Sequence, residues 1–463
     1  MKFGGTSVED APSIERVTEI VRARLGLKPV IVVSAMGKTT RKLLAAAEAS
    51  AAGDSRSALG FLADLKTRHT SEVRRLVQKA TGRLALPLIE QHFAELKTLL
   101  EGLAILGEVP PRGLDKILAY GELLSSFIVA DAMSERGIRT RLMDARDLIK
   151  TDDRYGGASP LFDLTNRAIA EKVAPVLSDD EVPVVQGFIG STRDGATTTL
   201  GFEGSDYTAS IIGAALNADD IQIWKDVSGL MTADPRVYEG ARTVKMCSFA
   251  EAADLTFFGA KVLHAKAIYP AASKNIPVHI YNSKEPDAMG TTIGAAAPRS
   301  RNLIKSIAFT RPVTIIRARA ETMAGGSREA STDELLQALL DHLTKRKARA
   351  LFMMVAGSHV VVALDSRELK HGGRDVVESI SPYGSATVEP GKALVSLVGE
   401  GLSRDPSAVS RAFKALEQTD LDVVLHGSSP ITVSFAVEQS EVESVIGRLH
   451  EVFFRELDPA VFE

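Results

Sequence analysis

Short apolar segments that end in a polar residue limit the fold of this sequence more than any other feature. The clearest is Pro29-Val30-Ile31-Val32-Val33-Ser34, whose consecutive apolar residues are typical of a parallel strand buried on both faces. Similar segments alternate with amphipathic helices up to about Ala297. The predicted strands cover residues 139–143, 183–189 and 220–224, and the predicted helices cover residues 10–21, 121–136 and 206–217. This alternation predicts βαβ units and hence a three-layer α/β domain over residues 1–297.

Residues 55–106 interrupt this alternation. The segment is polar, favours helix and contains no strand signal before Pro110 and Pro111. We interpret it as a helical insertion in the α/β domain.

The pattern changes after Pro298, where a strand, a helix and two further strands follow one another twice. The first set has predicted strands at 313–317, 350–355 and 359–364 and a helix at 332–346. The second set has predicted strands at 393–398, 422–425 and 431–437 and helices at 406–417 and 441–454. This repetition predicts two small α+β domains in tandem, residues 298–380 and 381–463.

Composition excludes several classes of function. The 463 residues carry a formal net charge of −4, so no overall positive field attracts nucleic acid or an anionic membrane, and neither is an expected partner. Cys247 is the only cysteine, which excludes a disulfide framework and a cysteine-based zinc site and favours a core position. We saw no run of the roughly 20 apolar residues that a membrane span needs, and no apolar signal segment. We therefore expect a cytoplasmic protein that handles small molecules.

The N-terminal segment Lys2-Phe3-Gly4-Gly5-Thr6-Ser7 places a cation, two glycines and two hydroxyls between a predicted strand and a helix. Glycines allow backbone N–H groups to approach a phosphate, and the helix terminus favours negative charge. The pattern differs from the P-loop. A Gly-Gly pair alone is more often a simple turn, and the preceding lysine is what favours a phosphate site.

Two further segments are rich in turn formers or charges at strand ends. The stretch 187–206 ends in Ser205-Asp206, which is either a helix cap with an acidic first turn or a carboxylate directed at the same crevice as Lys2. Lys225 and Asp226 follow another strand, and two cations lie further along, Arg236 and Lys261. These charges either bind the phosphates and ribose of a nucleotide or are solvated. His264 is more consistent with a packing histidine than with a metal ligand.

Together these segments resemble aspartate kinase, a member of the amino acid kinase family. The matching segments occur in the family's order: Lys2–Val8, Val33–Thr40, Gly121–Leu123, Gly187–Asp206, Asp226–Arg236 and Phe258–His264. The C-terminal tandem is similar to the paired ACT domains of the same enzymes, through Leu394–Gly401 and Leu425–Ser429. The resemblance covers essentially the whole chain.

The resemblance implies the reaction of ATP with L-aspartate to give ADP and 4-phospho-L-aspartate, the first step towards lysine, threonine and methionine. It implies that Lys2 stabilises the transferring group, that Asp206 orients Lys2 or the metal, and that Mg²⁺ arrives bound to the nucleotide. The implied ATP-binding residues are Lys2, Gly4, Gly5, Lys225, Asp226, Met231, Arg236 and Lys261. The implied aspartate-binding residues are Ser34, Thr40, Glu122 and Ser205. No residue is assigned to a protein-held metal.

The sequence departs from the family at three places. Phe202 stands where many members have the arginine that holds the substrate α-carboxylate, and Arg193 or Lys38 is the expected replacement. Met231 stands where an aromatic residue is frequent. The turn at 323–332 lacks the Phe-Leu pair of the lysine pocket, although Ser331 or Thr332 can still cap the following helix. We therefore expect an amino-acid effector at the ACT–ACT interface and only weak inhibition by lysine.

Three questions stay open at the level of sequence. Exposed ACT sheet edges favour a homodimer or a larger oligomer. The chain starts at Met1-Lys2, so either its first strand is unusually short or the true start lies upstream. Two other functions remain, a catalytically silent amino-acid sensor and a kinase for another carboxylate such as glutamate.

Overall fold

The computed structural model describes residues 1–77, 85–201, 203–260, 263, 265–321, 331–346, 348–400, 402 and 405–463. These residues form two compact units. Unit 1 comprises Met1–Leu230, Lys245–Phe249 and Val262–Ala297, and unit 2 comprises Met231–Val244, Ala250–Lys261 and Pro298–Glu463.

The helices are numbered in chain order. Those that begin before Lys225 are α1 (Ala11–Arg22), α2 (Thr39–Ala51), α3 (Ser55–Leu76), α4 (Ala85–Leu106), α5 (Pro111–Glu135), α6 (Ala145–Leu148), α7 (Phe162–Ser178) and α8 (Gly204–Leu216). The later ones are α9 (Phe249–Phe257), α10 (Ala265–Ser273), α11 (Thr332–Arg346), α12 (Arg374–Ile380), α13 (Pro406–Ala415) and α14 (Val442–Phe454).

The strands follow the same numbering. Those of unit 1 are β1 (Lys2–Phe3), β2 (Ile31–Val33), β3 (Thr140–Met143), β4 (Val182–Gln186), β5 (Ile189–Ser191), β6 (Thr197–Thr199), β7 (Ile221–Lys225), β8 (Met246–Ser248), β9 (Val278–Asn282) and β10 (Thr291–Gly294). Those of unit 2 are β11 (Ser306–Ala320), β12 (Ala350–Ala356), β13 (His359–Asp365), β14 (Gly384–Val398), β15 (Val423–Ser429) and β16 (Thr432–Glu438).

Unit 1 is built on an eight-stranded sheet in the order β3-β4-β2-β1-β7-β9-β10-β8. Its strands run parallel except at the β9–β10 pair, which is antiparallel. Every residue of β2 and of β4 is buried, as expected for strands covered by helices on both faces. The prediction of an α/β sheet is therefore confirmed. The hairpin β5–β6 lies within the stretch that we interpreted only as turns.

The predicted helical insertion corresponds to α3 and α4, which begin and end at residues 55 and 106. The following helix, α5, begins at Pro111 and is ten residues longer at its N-terminal end than predicted. It is the one described helix that is long and apolar enough to cross a membrane. Because 89% of its most apolar window is buried inside the protein, α5 has the character of a core helix.

Unit 2 contains a six-stranded antiparallel sheet in the order β12-β13-β11-β14-β16-β15. The two predicted β-α-β-β repeats are present, and each begins with a 15-residue strand, β11 or β14. These two strands pair along their length from Ser306↔Val398 to Ala320↔Gly384, which joins the repeats in one sheet. The sequence analysis predicted only short parts of both strands.

Two short segments from the middle of the chain also pack in unit 2. Asp254 of α9 accepts hydrogen bonds from the hydroxyls of Ser429 and Thr432, at 2.8 and 2.6 Å. In the segment 231–244, Thr232 is hydrogen bonded to His450 of α14 at 2.8 Å. These contacts attach both segments to the second repeat of unit 2, one to β15 and β16 and the other to α14.

Candidate active site

The site lies at the carboxyl edge of β2, β1 and β7, which are adjacent parallel strands of unit 1. Lys2 pairs in register with Val32 on one side and with Ile223 on the other. Loops that leave parallel strands at one edge share a crevice, which is where open α/β sheets bind ligands. The loops after β1, β2 and β7 therefore meet at this edge.

The loop after β1, residues 4–10, is held against its neighbours by close backbone contacts. Gly4 N donates to Trp224 O at 2.9 Å. A Cβ on Gly5 would lie 2.8 Å from Ala35 O, so a larger residue would force the two loops apart. We call residues 4–10 the glycine loop.

Lys2, Asp206 and Lys225 form a buried charge cluster at the centre of this edge. Lys2 Nζ lies 2.6 Å from Asp206 Oδ1, and Lys225 Nζ lies 3.0 Å from Asp206 Oδ2. The side chains of Lys2, Asp206 and Lys225 are 7%, 1% and 14% exposed. Each carboxylate oxygen thus has its own ammonium partner, and the cluster carries a net positive charge.

The charged forms are maintained in this cluster by its own members. Burial alone would raise the pKa of Asp206, but Lys2 and Lys225 outweigh burial and lower the pKa to about 2. Burial alone would lower the pKa of Lys225, but the charge of Asp206 outweighs it and raises that pKa. For Lys2 the effect of burial is larger than that of the Asp206 charge, so the pKa of Lys2 is lowered. Asp206 therefore counteracts part of the effect of burial on the pKa of Lys2.

Asp206 reaches the cluster because α8 begins at the sheet edge. It lies in the first turn of α8, where a carboxylate is favoured by the helix dipole. A Cβ on Gly187, after β4, would lie 2.6 Å from Ser205 Cβ, so glycine allows α8 to approach this closely. Ser205 is itself buried beside the cluster's aspartate.

Glu122 of α5 is a second buried carboxylate near Lys2. Its Oε1 accepts a hydrogen bond from Ala35 N at 3.1 Å, and its Oε2 has no hydrogen-bond partner among the described residues. Burial raises the pKa of Glu122 to about 8, although Lys2 acts in the opposite direction. A buried carboxylate oxygen without a donor is suited to receive a cationic group of a ligand.

The loop after β2, residues 34–38, and the start of α2 place Ser34 and Thr40 near Glu122. Ser34 O accepts a hydrogen bond from Ser125 Oγ at 2.7 Å. Thr40 Oγ1 would lie 3.5 Å from a Cβ on Gly121, the residue before Glu122. Ser34, Thr40 and Glu122 therefore lie close to one another. We call residues 34–38 the Ser34 loop.

The remaining predicted residues are spread over different parts of the chain. Asp226 is exposed in unit 1, directly after β7. Met231 and Arg236 belong to unit 2, where Arg236 is exposed and makes a two-nitrogen contact with Asp234. Lys261, like Phe202 and His264, lies outside the described residues.

Two polar residues that join separate segments of unit 1 were not found from the sequence. Ser283 Oγ is hydrogen bonded to Ser7 Oγ at 2.8 Å and donates to Lys225 O at 2.9 Å, which links the glycine loop to β7. Asp115 accepts from Thr199 Oγ1 at 2.8 Å and from Gly156 N at 3.0 Å. Neither belongs to a recognisable motif, so no local signal identified them.

Comparisons with known proteins agree with this architecture. The amino acid kinase family matches residues 1–282, and an ACT domain matches residues 395–453. The sheet, the glycine loop and the buried Lys–Asp–Lys cluster thus define a kinase of the amino acid kinase family with a C-terminal ACT region.

Individual relatives show which family of these kinases the chain belongs to. Aspartokinase 1, chloroplastic, of Arabidopsis thaliana is 34% identical over 99% of this chain and 80% of its own length. The lysine-sensitive aspartokinase 3 of Escherichia coli is 30% identical over 98% of both chains. The structure of Escherichia coli aspartokinase III in complex with aspartate and ADP covers 98% of this chain and 99% of its own, with a TM-score of 0.86 and 29% identity. The chain belongs to the aspartokinase family, and the recognition made from its motifs is confirmed.

Proposed function

We propose that this aspartokinase transfers the γ-phosphoryl group of ATP to the β-carboxylate of L-aspartate in the crevice at the ends of β1, β2 and β7. The observation that carries the proposal is the buried Lys2–Asp206–Lys225 cluster, since two ammonium groups share one carboxylate there. Excess positive charge at a phosphoryl-transfer site stabilises the transition state. The glycine loop and Glu122 flank this cluster on the nucleotide and amino-acid sides.

The nucleotide side is proposed to consist of Lys2, Gly4, Gly5, Lys225 and Asp226, with Met231, Arg236 and Lys261 as further ATP contacts. Backbone N–H groups of the glycine loop would bind phosphate oxygens. The described residues contain no group of three acidic, histidine or cysteine side chains that could hold a metal. Mg²⁺ is proposed to arrive on the nucleotide with most of its ligands from phosphate and water, where it would neutralise phosphate charge.

The aspartate side is proposed to consist of Ser34, Thr40, Glu122 and Ser205. Glu122 Oε2 would accept a hydrogen bond from the substrate ammonium group, which supplies the donor that this oxygen lacks. The hydroxyls would orient the substrate so that its β-carboxylate faces the γ-phosphoryl group.

The chemistry then needs little acid–base assistance. The β-carboxylate of aspartate is ionised at neutral pH, so no strong general base has to activate it. One of its oxygens forms a bond to the γ-phosphorus while the bond to the oxygen bridging to the β-phosphorus breaks, and ADP leaves. Lys2 neutralises charge on the transferring group, and Asp206 holds Lys2 in place through their ion pair.

A cation for the substrate α-carboxylate is still required, because Phe202 replaces the usual arginine. We propose Arg193 or Lys38 for this role. Arg193 is exposed in the turn between β5 and β6, and Lys38 is exposed in the Ser34 loop. Neither takes part in an ion pair among the described residues. A structure with bound aspartate tests this, and the absence of both side chains from salt-bridge distance would reject it.

The C-terminal region is proposed to regulate this activity. We propose residues 1–297 as the catalytic domain and 298–380 and 381–463 as ACT-like units, in a cytoplasmic homodimer or larger oligomer. Escherichia coli aspartokinase III has been solved in complex with lysine and aspartate. The turn at 323–330 lies outside the described residues, but Ser331 caps α11: Ser331 N donates to Glu334 Oε2 at 3.1 Å, and Glu334 N donates to Ser331 Oγ at 3.2 Å. An amino-acid effector is proposed to bind at the ACT–ACT interface.

One assay separates the proposal from the two other functions that the sequence left open. The purified chain is incubated with Mg²⁺, ATP and hydroxylamine, with aspartate and glutamate in parallel, and the acyl hydroxamate is measured. Turnover with aspartate alone supports the proposal. Turnover with glutamate points to another carboxylate substrate, and no turnover with either points to a silent sensor.

A further inference from the structure

The glycine loop and the Ser34 loop need to keep a fixed spacing, because the proposed function places ATP on one and aspartate on the other. They leave adjacent strands, and the last backbone hydrogen bond between them runs from Ser34 N to Phe3 O at 3.1 Å. Beyond this bond, no hydrogen bond joins the two loops directly among the described residues. A group outside the two loops must therefore fix the spacing between them.

Arg68 of α3 makes that connection. One terminal nitrogen, Nη1, donates to Gly37 O in the Ser34 loop at 2.6 Å. The other, Nη2, donates to Glu9 O in the glycine loop at 2.7 Å. A guanidinium has its donors in a rigid planar arrangement, so these two bonds fix the distance between the two carbonyl oxygens.

The same helix makes a second contact one turn further on, at the start of α1. Glu72 Oε2 accepts a hydrogen bond from Ala11 N at 2.7 Å, at the first residue of α1. Glu72 is buried, and its charge lies where the dipole of α1 favours it. Because Arg68 and Glu72 are four residues apart on one face of α3, the helix contacts both the C-terminal end of the glycine loop and the start of α1.

The helix that carries Arg68 is itself anchored firmly. Leu65, His69 and Val73 of α3 are buried, and the His69 ring lies edge-on to that of Phe93 in α4, with 6.0 Å between the ring centroids. The direct approach of the loops leaves little tolerance, since a Cβ on Gly37 would lie 3.1 Å from Glu9 Cβ. A shift at Arg68 would therefore change the alignment of the loops directly.

We propose that Arg68 is a positioning residue for phosphoryl transfer. Its two hydrogen bonds set the spacing between the ATP-binding glycine loop and the aspartate-binding Ser34 loop. The catalytic part of this proposal rests on the proposed function, whereas the link between the loops rests on the two hydrogen bonds of Arg68. Each loop keeps its own ligand-binding groups when Arg68 is replaced, so binding of each substrate should persist. Only the alignment of the two reacting groups should be lost.

The test compares Arg68→Lys and Arg68→Met with matched changes at Arg74, which is exposed on the same helix. A lysine keeps the charge but cannot donate to both carbonyls with fixed geometry. We expect both Arg68 variants to lower kcat between about tenfold and a hundredfold, as a misplacement near 1 Å does, while each KM changes by less than about threefold. Added guanidinium ion should restore part of the kcat of Arg68→Met and should not affect Arg74→Met.

A second measurement does not depend on activity. Hydrogen–deuterium exchange of peptides from the glycine loop and the Ser34 loop should be faster in Arg68→Met than in the parent, and unchanged in Arg74→Met. Parental kcat and parental exchange in the Arg68 variants would overturn the proposal, as would a loss of kcat that follows a lower melting temperature and resists guanidinium. If the parent shows no aspartate-dependent turnover, the proposed function fails, and loop exchange alone decides the role of Arg68.

Discussion

The raised pKa of Glu122 makes aspartate binding dependent on pH. Burial raises this pKa to about 8, so about 90% of the free enzyme carries a protonated Glu122 at pH 7. The proposed contact with the substrate ammonium needs the ionised carboxylate, and binding must therefore release that proton. Affinity for aspartate should rise with pH until the carboxylate is ionised without substrate, and between pH 6.5 and 8.5 the gain should be roughly 20- to 30-fold.

Calorimetry and kinetics measure this linkage independently. Titration of aspartate into the ADP-bound enzyme, in buffers of different ionisation enthalpy, should report release of about 0.9 proton at pH 7. The variant Glu122→Gln should bind weakly with no proton release and with no pH trend over this range. Glu95→Gln is the matched control, because Glu95 is a partly exposed carboxylate that accepts from Tyr120 Oη in α5. An affinity of the parent that is flat from pH 6.5 to 8.5, or a trend that survives in Glu122→Gln, would refute this account of Glu122.

Three further predictions concern the charge cluster, the glycine loop and inhibition by lysine. Asp206→Asn leaves two buried lysines without their carboxylate and should lower the stability of unit 1 by roughly 3–5 kcal/mol, seen as a lower melting temperature; an unchanged melting temperature would contradict the burial argument. Gly5→Ala should lower kcat by at least about tenfold because its Cβ meets Ala35 O, whereas Gly26→Ala, which has open space around it, should match the parent; equal activity of the two variants would contradict it. Lysine should inhibit only weakly in titrations with lysine, threonine and methionine, singly and in pairs, and tight inhibition by lysine alone would show that the altered turn at 323–330 does not matter.

The sequence predicted those parts of the fold that local patterns determine. Asp10 caps α1 through Ser13 N at 2.9 Å, and the apolar run at 31–33 is a fully buried strand, because capping and burial are decided within a few residues. Cys247 is buried, as expected. The continuous sheet of unit 2 was missed, since the pairing of β11 with β14 joins residues that are about 80 positions apart in the chain.

In the candidate site, too, local motifs were predicted from the sequence and long-range contacts were not. Lys2, Glu122 and Asp206 were predicted as site residues because each belongs to a motif with a recognisable neighbour. The sharing of Asp206 between Lys2 and Lys225 was not foreseen, because it depends on how β1, β7 and α8 pack. Arg68 was not identified either. Its partners are backbone carbonyls, and any sequence at 9 and 37 supplies those.

The central claim is that Lys2 neutralises the phosphoryl group on its way from ATP to aspartate. The most direct measurement is aspartate-dependent turnover of Lys2→Ala against the parent, under saturating ATP and aspartate. We predict that kcat falls by about 10³-fold, as when a main transition-state contact is lost. Because Lys2 is buried beside Asp206, the melting temperature and ADP binding are measured on the same preparations to establish that the variant is folded. A folded Lys2→Ala enzyme that turns over aspartate within tenfold of the parent would contradict the claim.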